Sequence, residues 1–114
     1  MNSRRIEHIL GLDPRCRDVF HGFGNPDFPL PLIKKYPAVF VLNTAPFFSS
    51  GEHWCVICIE SKGSCYFFDS YGYHPKYYGF EKVLLNHCHT VSHNRRKFQG
   101  DLSKTCGHHC IYFI

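Results

Sequence analysis

Apolar positions recur along this chain with two different spacings, and each spacing predicts a different kind of element. Residues 3–10, SRRIEHIL, carry apolar side chains at Ile6, Ile9 and Leu10, which places them on one face of a helix. The serine at the start can cap the first turn, and the glycine that follows can end the last one. The sequence therefore predicts a short amphipathic helix at the N-terminus.

Three compact apolar runs in the middle of the chain predict strands. They are AVFVLN at 38–43, WCVICIE at 54–60 and CYFFDS at 65–70, and the SKGS segment at 61–64 has the chemistry of a hairpin turn. Because the runs are apolar almost throughout, the strands should be covered on both faces. We predict a three-stranded antiparallel sheet here, and an irregular segment over 13–37, which holds five of the seven prolines.

The rest of the chain carries weaker patterns. Residues 71–79 have the composition of a loop, 80–87 have a spacing compatible with a helix, and 88–91 form a weak strand candidate. The apolar segment 106–114 fits either the start of a buried helix or a strand, because periodicity alone does not separate the two. Together these elements predict one α+β domain over residues 1–114.

Composition narrows the class of protein. The 114 residues are 44% hydrophobic and 19% charged, which fits one ordinary globular domain. The N-terminus lacks the apolar core of a secretory signal, and no run approaches the ~20 apolar residues that a membrane span needs. We therefore expect an intracellular protein whose seven cysteines are free thiols, metal ligands or a nucleophile rather than a disulfide framework.

Four polar residues together supply the parts of a thiol acyl-transfer site: His53, Asp69, Gln99 and Cys106. A thiol with a pKa near ~8.5 is mostly protonated at neutral pH, so it needs an imidazole to take its proton and a position such as a helix N-terminus to favour the thiolate. His53 and Asp69 fall at the same end of the predicted hairpin, where the carboxylate can orient the ring. Gln99 offers an amide to an oxyanion, and Gly107 keeps the approach to Cys106 open.

The sequence around these residues resembles that of the adenovirus-type cysteine endopeptidases, the adenains, which share a clan with the Ulp-type deconjugating proteases. The resembling segments are FVLNTAPFFSSGEHW at 40–54, YFFDSYGY at 66–73 and QGDLSKTCG at 99–107, preceded by the N-terminal helix and CRDVFHGFGNPDFP. They stand in the family's order and at compatible spacings. The resemblance implies a papain-like α+β fold with an N-terminal helix, a small antiparallel sheet and a helix that carries the nucleophile.

By position, the resemblance implies the roles of the site residues. His53 would be the general base, Asp69 would orient it, Gln99 would donate to the oxyanion, and Cys106 would be the nucleophile. The family accepts Glu or Asp as the acid. Trp54 would line the substrate site, with a core role as its alternative.

The resemblance also implies activators. Cys88 stands where the family's proteases form a disulfide with a short activating viral peptide, with a plain strand cysteine as the alternative. The family is also stimulated by DNA, which the basic run Arg95, Arg96 and Lys97 would suit, although a net charge of +4 is too small to make nucleic-acid binding the main activity. No cofactor is required for the chemistry, and the substrates would be structural precursor proteins of a virus or a virus-like mobile element, cut near small, Gly-containing sites.

Three alternatives stay open at this point. The first is removal of ubiquitin-like modifiers, which uses the same four residues. The second is a zinc site built from Cys55-x-x-Cys58 and Cys106-x-x-x-Cys110 with His108 and His109, although residues three apart in a strand point to opposite faces. The third is an inactive relic or binding module, because the chain ends eight residues after Cys106, where the family continues.

Overall fold

A mixed five-stranded sheet forms the centre of the molecule. The structure is a computed structural model that describes residues 3–26, 30, 33–44, 53–85, 87–97 and 114. Its elements, in chain order, are α1 (Ser3–Leu12), α2 (Pro14–Val19), β1 (Phe20–Gly24), β2 (Ala38–Asn43), β3 (Trp54–Ser61), β4 (Gly63–Phe68), a 3-10 helix (Pro75–Tyr78), α3 (Glu81–Leu85) and β5 (Cys88–His93). No helix in this described part of the chain is long and apolar enough to cross a membrane.

The strands lie in the order β1-β2-β3-β4-β5. The three central strands are antiparallel as predicted, whereas β1 pairs in parallel with β2 and β5 in parallel with β4. The prediction of a three-stranded antiparallel sheet is therefore wrong for the whole sheet and right for its centre. The missed strand β1 reads FHGFG, in which glycines interrupt the apolar pattern that marks a strand.

Both faces of the sheet are covered, as the apolar strands predicted. Alternate residues of β2 and β3 point into two separate cores. One, the α3-side core, consists of Leu30, Ala38, Phe40, Leu42, Cys55, Ile57, Ile59, Cys65, Phe67, Phe80, Val83, Leu84 and Cys88. The other, the α1-side core, consists of Ile6, Leu10, Val39, Val41, Trp54, Val56 and Phe68.

The N-terminal helix forms where the spacing predicted it and buries Ile6 and Leu10. A second helix, α2, lies in the stretch that we expected to be irregular. It starts with Pro14 at its first turn and with the Asp13 side chain accepting a hydrogen bond from the Arg15 amide at 2.9 Å. Asp followed by Pro is a helix-start signal, and the high proline content of the whole segment obscured it.

The C-terminal half follows the prediction with shifted bounds. Helix α3 spans Glu81–Leu85, which is shorter than the predicted 80–87, and β5 spans Cys88–His93, which is longer than the predicted 88–91. The segment 106–114, for which we left helix and strand open, lies outside the described residues except for Ile114. The helix expected to carry the nucleophile lies there too.

Candidate active site

The β3–β4 hairpin brings His53 and Asp69 together. His53 directly precedes β3, Asp69 directly follows β4, and the antiparallel register pairs Val56 with Phe68 near this end. His53 Nε2 lies 2.6 Å from Asp69 Oδ1, and the two side chains are 13% and 0% exposed. His53 and Asp69 therefore lie at the same end of the hairpin, as the tight turn between the strands predicted.

The carboxylate of Asp69 is saturated with donors. Besides His53, Oδ1 accepts from the Tyr71 amide at 3.3 Å. Oδ2 accepts from the Tyr78 hydroxyl at 2.6 Å and from the Tyr73 amide at 3.0 Å. A carboxylate that accepts so many bonds is fixed in orientation, so the imidazole that it holds is fixed as well.

These contacts set the charge states of the site. Burial alone would raise the pKa of Asp69, but the hydrogen bonds from His53, Tyr78 and Tyr73 outweigh it and hold the pKa below its ordinary value. Burial, followed by the hydrogen bond to Asp69, raises the pKa of Tyr78 well above its usual range. Tyr78 therefore remains a neutral donor, and Asp69 remains an anion that only accepts.

The tautomer of His53 follows from the charge of its partner. An ionised carboxylate has no proton to give, so the proton in the short contact belongs to Nε2. In the neutral ring the basic nitrogen is then Nδ1. The hairpin thus presents an imidazole with one nitrogen committed to Asp69 and the other with the lone pair that proton abstraction needs.

Two tyrosine rings pack against this imidazole. The Tyr71 ring stacks on His53 with centroids 4.6 Å apart and 28° between the planes. The Tyr78 ring is tilted at 33°, with its centroid 5.4 Å away. The rings add to the hydrogen bond with Asp69 in restricting the rotation of the imidazole.

A buried asparagine at the end of β5 holds the backbone of the acid. The Asn94 side-chain oxygen accepts from the Asp69 amide at 2.8 Å, and its nitrogen donates to the Asp69 carbonyl at 2.6 Å and to the Arg96 carbonyl at 3.1 Å. Three residues beyond the acid, Gly72 has φ +79°, and a Cβ there would lie 2.9 Å from the Arg95 carbonyl oxygen. The acid-bearing turn is therefore packed closely against the chain that follows β5.

Cys55 is a further group beside the acid. It is fully buried in the α3-side core, and its Sγ lies 3.7 Å from Asp69 Oδ1. His53 and Cys55 are two residues apart on the same strand edge, so their side chains point to the same side of the sheet. Among the described residues, His53, Cys55 and Asp69 are the one set of histidine, cysteine or acidic groups whose ligand atoms converge closely enough to hold a metal ion.

Two other predicted site residues lie in the sheet. Trp54 is 4% exposed and packs in the α1-side core, with its ring 5.8 Å from that of Phe23, on the face opposite Cys55. Its role in lining a substrate site stays a prediction beside this observed core position. Cys88 at the start of β5 forms a disulfide with Cys65 of β4, so a peptide could reach its sulfur only by thiol–disulfide exchange.

This pairing also corrects the expectation that the cysteines are all free thiols, metal ligands or a nucleophile. In the described residues Cys65 and Cys88 are bonded to each other, and Cys16, Cys55 and Cys58 are not part of a disulfide. Cys65 lies on β4 and Cys88 on β5, and the pairing of these strands brings two residues 23 positions apart close to each other. The sequence offered no spacing that singled out this pair.

The basic run lies beside the acid-bearing turn. Arg95, Arg96 and Lys97 are exposed, and the Lys97 ammonium lies 5.9 Å from the centroid of the Tyr71 ring. Their role in contacting DNA stays a prediction. What the structure adds is that the run follows Asn94 directly and packs its backbone against Gly72.

The remaining predicted residues lie outside the described part of the chain. They are Gln99, Cys106 and Gly107, together with His108, His109 and Cys110 of the alternative zinc set. Two cysteines of that set, Cys55 and Cys58, lie among the described residues and on opposite faces of the sheet, as their spacing predicted. Cys55 belongs to the α3-side core, and Cys58 packs against the α1-side core. The two thiols on β3 point away from each other.

Sequence reasoning missed Tyr71, Tyr78, Asn94 and Cys55 as neighbours of the site. The paired tyrosines in the 71–79 loop were a visible signal, since a loop directly after the acid must return close to it. Asn94 gave no signal, because its contact depends on the parallel pairing of β4 with β5. Cys55 was read as part of Cys55-x-x-Cys58, and the closer partner, two residues back, was overlooked.

Comparison with known proteins finds a family and a relative to which this chain is similar. A protein-family model described as adenovirus endoprotease matches residues 20–114. A protein of Porcine adenovirus A serotype 3, described as "Protease", is 27% identical over 110 residues, which cover 83% of this chain and 54% of that protein. The chain thus spans about half the length of the curated relative that it matches.

Proposed function

This chain belongs to the adenovirus endoprotease family, and from that premise we propose that it is a cysteine endopeptidase acting on viral structural precursor proteins. The reaction would be hydrolysis of a peptide bond through a thioester on Cys106. The observation that carries the proposal is the 2.6 Å contact between His53 Nε2 and the buried Asp69. It leaves Nδ1 as the basic nitrogen, which is the part that thiol activation requires.

In the proposed first step, His53 Nδ1 takes the thiol proton of Cys106, and the thiolate adds to the scissile carbonyl carbon. The oxyanion that forms is stabilised by the side-chain amide of Gln99 and by backbone N–H groups near the nucleophile. When the C–N bond breaks, the imidazolium gives its proton to the leaving amine. Asp69 stabilises the positive ring throughout without taking its proton.

In the second step, a water gives a proton to His53 Nδ1 and adds to the thioester carbonyl. Collapse of this intermediate breaks the C–S bond, and the imidazolium returns a proton to the sulfur of Cys106. The fixed ring supports both steps, since the same Nδ1 must serve as base and then as acid without rotating. The stacked Tyr71 and the donor Tyr78 support that requirement.

The partners follow from the same premise. We propose a protein substrate, and we retain an activating viral peptide and DNA as proposals, with Cys88 and the run 95–97 as their contacts. A protease of this kind would act in the virion or the infected cell. An exchange reaction at the Cys65–Cys88 disulfide would be the chemistry by which a cysteine-containing peptide is captured.

The thiol of Cys106 tests the proposal without a known substrate. Its alkylation by iodoacetamide is followed by mass spectrometry at about pH 6, where an ordinary thiol with a pKa near ~8.5 is almost fully protonated. We expect Cys106 to react at least about tenfold faster than free cysteine, and His53→Ala to remove that advantage. Equal rates in the protein and in free cysteine would overturn the assignment of Cys106.

Cleavage of Gly-containing fluorogenic peptides gives the second readout. Cys106→Ala should abolish it, and His53→Ala should lower it by about 10² or more, the usual contribution of a general base. Cys110→Ala, four residues after the nucleophile, is the matched control and should retain activity. Retention of cleavage in Cys106→Ala would contradict the proposal.

A further inference from the structure

The buried thiol of Cys55 is unexplained by the proposed reaction, because that reaction uses a different cysteine. Its Sγ lies 3.7 Å from Asp69 Oδ1, the same oxygen that holds His53 Nε2 at 2.6 Å. One ligand atom from each of the three residues lies within 4.8 Å of the other two. We infer that His53, Cys55 and Asp69 form a binding site for a Zn²⁺ ion.

The donor set selects the class of metal. One imidazole nitrogen, one sulfur and one carboxylate oxygen suit Zn²⁺, whereas Ca²⁺ and Mg²⁺ prefer oxygen donors alone. In tetrahedral zinc sites the bonds of about 2.0–2.3 Å put neighbouring ligand atoms roughly 3.3–3.8 Å apart. The Cys55–Asp69 separation of 3.7 Å already fits, and the 2.6 Å His53–Asp69 contact needs to open by about 1 Å.

Charge balance favours the ion in so buried a place. Cys55 and Asp69 are fully buried, so a Cys55 thiolate beside the ionised Asp69 would be costly there without a bound cation. Zn²⁺ bound by one thiolate, one carboxylate and one neutral imidazole has a net charge of zero. Before binding, the three residues carry the single negative charge of Asp69. Binding of Zn²⁺ releases the Cys55 thiol proton to solvent and leaves the cluster neutral.

The surroundings of Asp69 hold the ligands in place. Its second oxygen is occupied by the Tyr78 hydroxyl at 2.6 Å and the Tyr73 amide at 3.0 Å, which turns Oδ1 toward His53 and Cys55. Hydrogen bonds to the far oxygen of a ligating carboxylate are the usual support of a metal site. With three protein ligands the fourth position is left for a water, and His53, whose side chain is 13% exposed, is the one ligand of the three in contact with solvent.

The ion would occupy the nitrogen that Asp69 now holds. A neutral imidazole bound to zinc through Nε2 carries its proton on Nδ1. This consequence rests on the proposed function: Nδ1 is the base of the proposed reaction, and once protonated it cannot take the proton of Cys106. Zinc would therefore inhibit the protease reversibly, and chelation would restore it.

Binding of Zn²⁺ to the purified protein, measured by competition with a fluorescent chelator at neutral pH, tests the site without any substrate. We expect one equivalent to bind, with at least a tenfold loss of affinity in Cys55→Ser. Cys58→Ser is the matched control on the same strand and should bind as the unaltered protein does. A double variant, Cys106→Ser with Cys110→Ser, should also retain the affinity.

The result that overturns the inference is the reverse pattern, in which the double variant loses zinc and Cys55→Ser keeps it. Equal affinity in all variants overturns it as well. Because Cys55 is buried, His53→Asn at a part-exposed position provides a second variant, and it too must lose at least tenfold. Replacing Zn²⁺ by Co²⁺ adds a spectroscopic readout, since a thiolate-to-metal band must be present in the double variant and absent in Cys55→Ser.

Since this readout is binding and not cleavage, failure of the proposed protease activity would leave the zinc site standing. Conversely, a protein that cleaves peptides but binds no zinc at Cys55 would overturn only the site. The two outcomes are therefore separate.

Discussion

The two ends of the β3–β4 hairpin differ in where their structure comes from. At the turn end, Ser61, Lys62 and Gly63 reverse the chain within three residues that are exposed or half-buried. At the site end, His53 and Asp69 are held by side chains from the following loop and from the end of β5. The turn end reverses through its own residues and has a backbone bond to the following chain, from the Gly63 amide to the His87 carbonyl at 3.2 Å. The site end is instead held by buried side-chain hydrogen bonds, which reach up to 25 residues along the chain.

The comparison of the two ends shows that the candidate chemistry lies at the end of the hairpin where polar side chains are buried. At the turn end, the side chains of Ser61 and Lys62 are exposed and should tolerate substitution. The site end concentrates buried polar groups, and in the described residues each buried side-chain nitrogen or oxygen has a hydrogen-bond partner. Removing one hydrogen-bonding group there leaves its partner unpaired, and a buried unpaired group lowers the free energy of unfolding by about 1–3 kcal/mol.

The largest effect should come from Asp69→Ala. It leaves His53, the Tyr78 hydroxyl and the Tyr73 amide without this acceptor. A hydrogen bond to a charged group contributes about 1.5–3 kcal/mol, so we expect the loss of all three to cost at least about 3 kcal/mol. Urea unfolding measures the free energy, with Lys62→Ala at the exposed turn end as the control, expected within about 0.5 kcal/mol of the unaltered protein. Similar losses in both variants would remove the distinction between the two ends.

A somewhat smaller loss is expected from Asn94→Ala. The buried Asp69 amide loses its acceptor, and the Asp69 and Arg96 carbonyls each lose a donor, although the Gly72 amide still donates to the Asp69 carbonyl at 2.9 Å. We expect a loss of about 2–3 kcal/mol in the free energy of unfolding. Ser92→Ala, at an exposed position of the same strand, should have little effect in the same urea titration. If Asn94→Ala were as mild as Ser92→Ala, β5 would not be holding the site end.

Tyr78→Phe isolates one hydrogen bond, because the ring that packs near His53 is kept. A bond to a charged group contributes about 1.5–3 kcal/mol, so we expect a loss near the middle of that range. Tyr77→Phe is the matched control, since Tyr77 is 70% exposed and adjacent in the chain. Equal thermal unfolding of the two variants would show that the Asp69 carboxylate does not need this donor.

The smallest effect is a difference between two glycines, one at each end. Both have positive φ, +79° at Gly72 and +93° at Gly63, so alanine is strained at either position. A Cβ at Gly72 would lie 2.9 Å from a backbone oxygen of Arg95, whereas at Gly63 the nearest atom is 3.0 Å away in the His89 side chain, which can rotate. We expect Gly72→Ala to be the more destabilising by about 1 kcal/mol in urea titrations, and the opposite order would contradict the description of the site end.

The sequence predicted best where structure is local or where the apolar pattern is strong. The bounds of β2 agree with the run 38–43, and the hairpin that unites His53 with Asp69 was read from its turn. Strand β1 was missed because its ladder is formed with β2 and not by its own glycine-interrupted pattern. The parallel pairing of β5 was missed for the same reason, since a partner 20 or more residues away leaves no periodicity.

The same rule separates the site residues that the sequence predicted from those that it did not. His53 and Asp69 were found because adjacent strands carry them. Asn94 and Cys55 were not, since one acts through a tertiary contact and the other was assigned to a different motif. For Gln99 and Cys106, which lie outside the described residues, the roles rest on family membership and stay proposals.

The bond from the Asp69 amide to the Asn94 side chain also provides a kinetic reporter. This amide is buried, and its proton exchanges with solvent when the Asn94 side chain leaves it, as happens when the end of β5 separates from β4. Its hydrogen-exchange rate therefore measures the opening free energy of an edge strand through a single atom at the acid. A ligand that tightens the segment after β5 would slow that exchange, even at a distance from the imidazole.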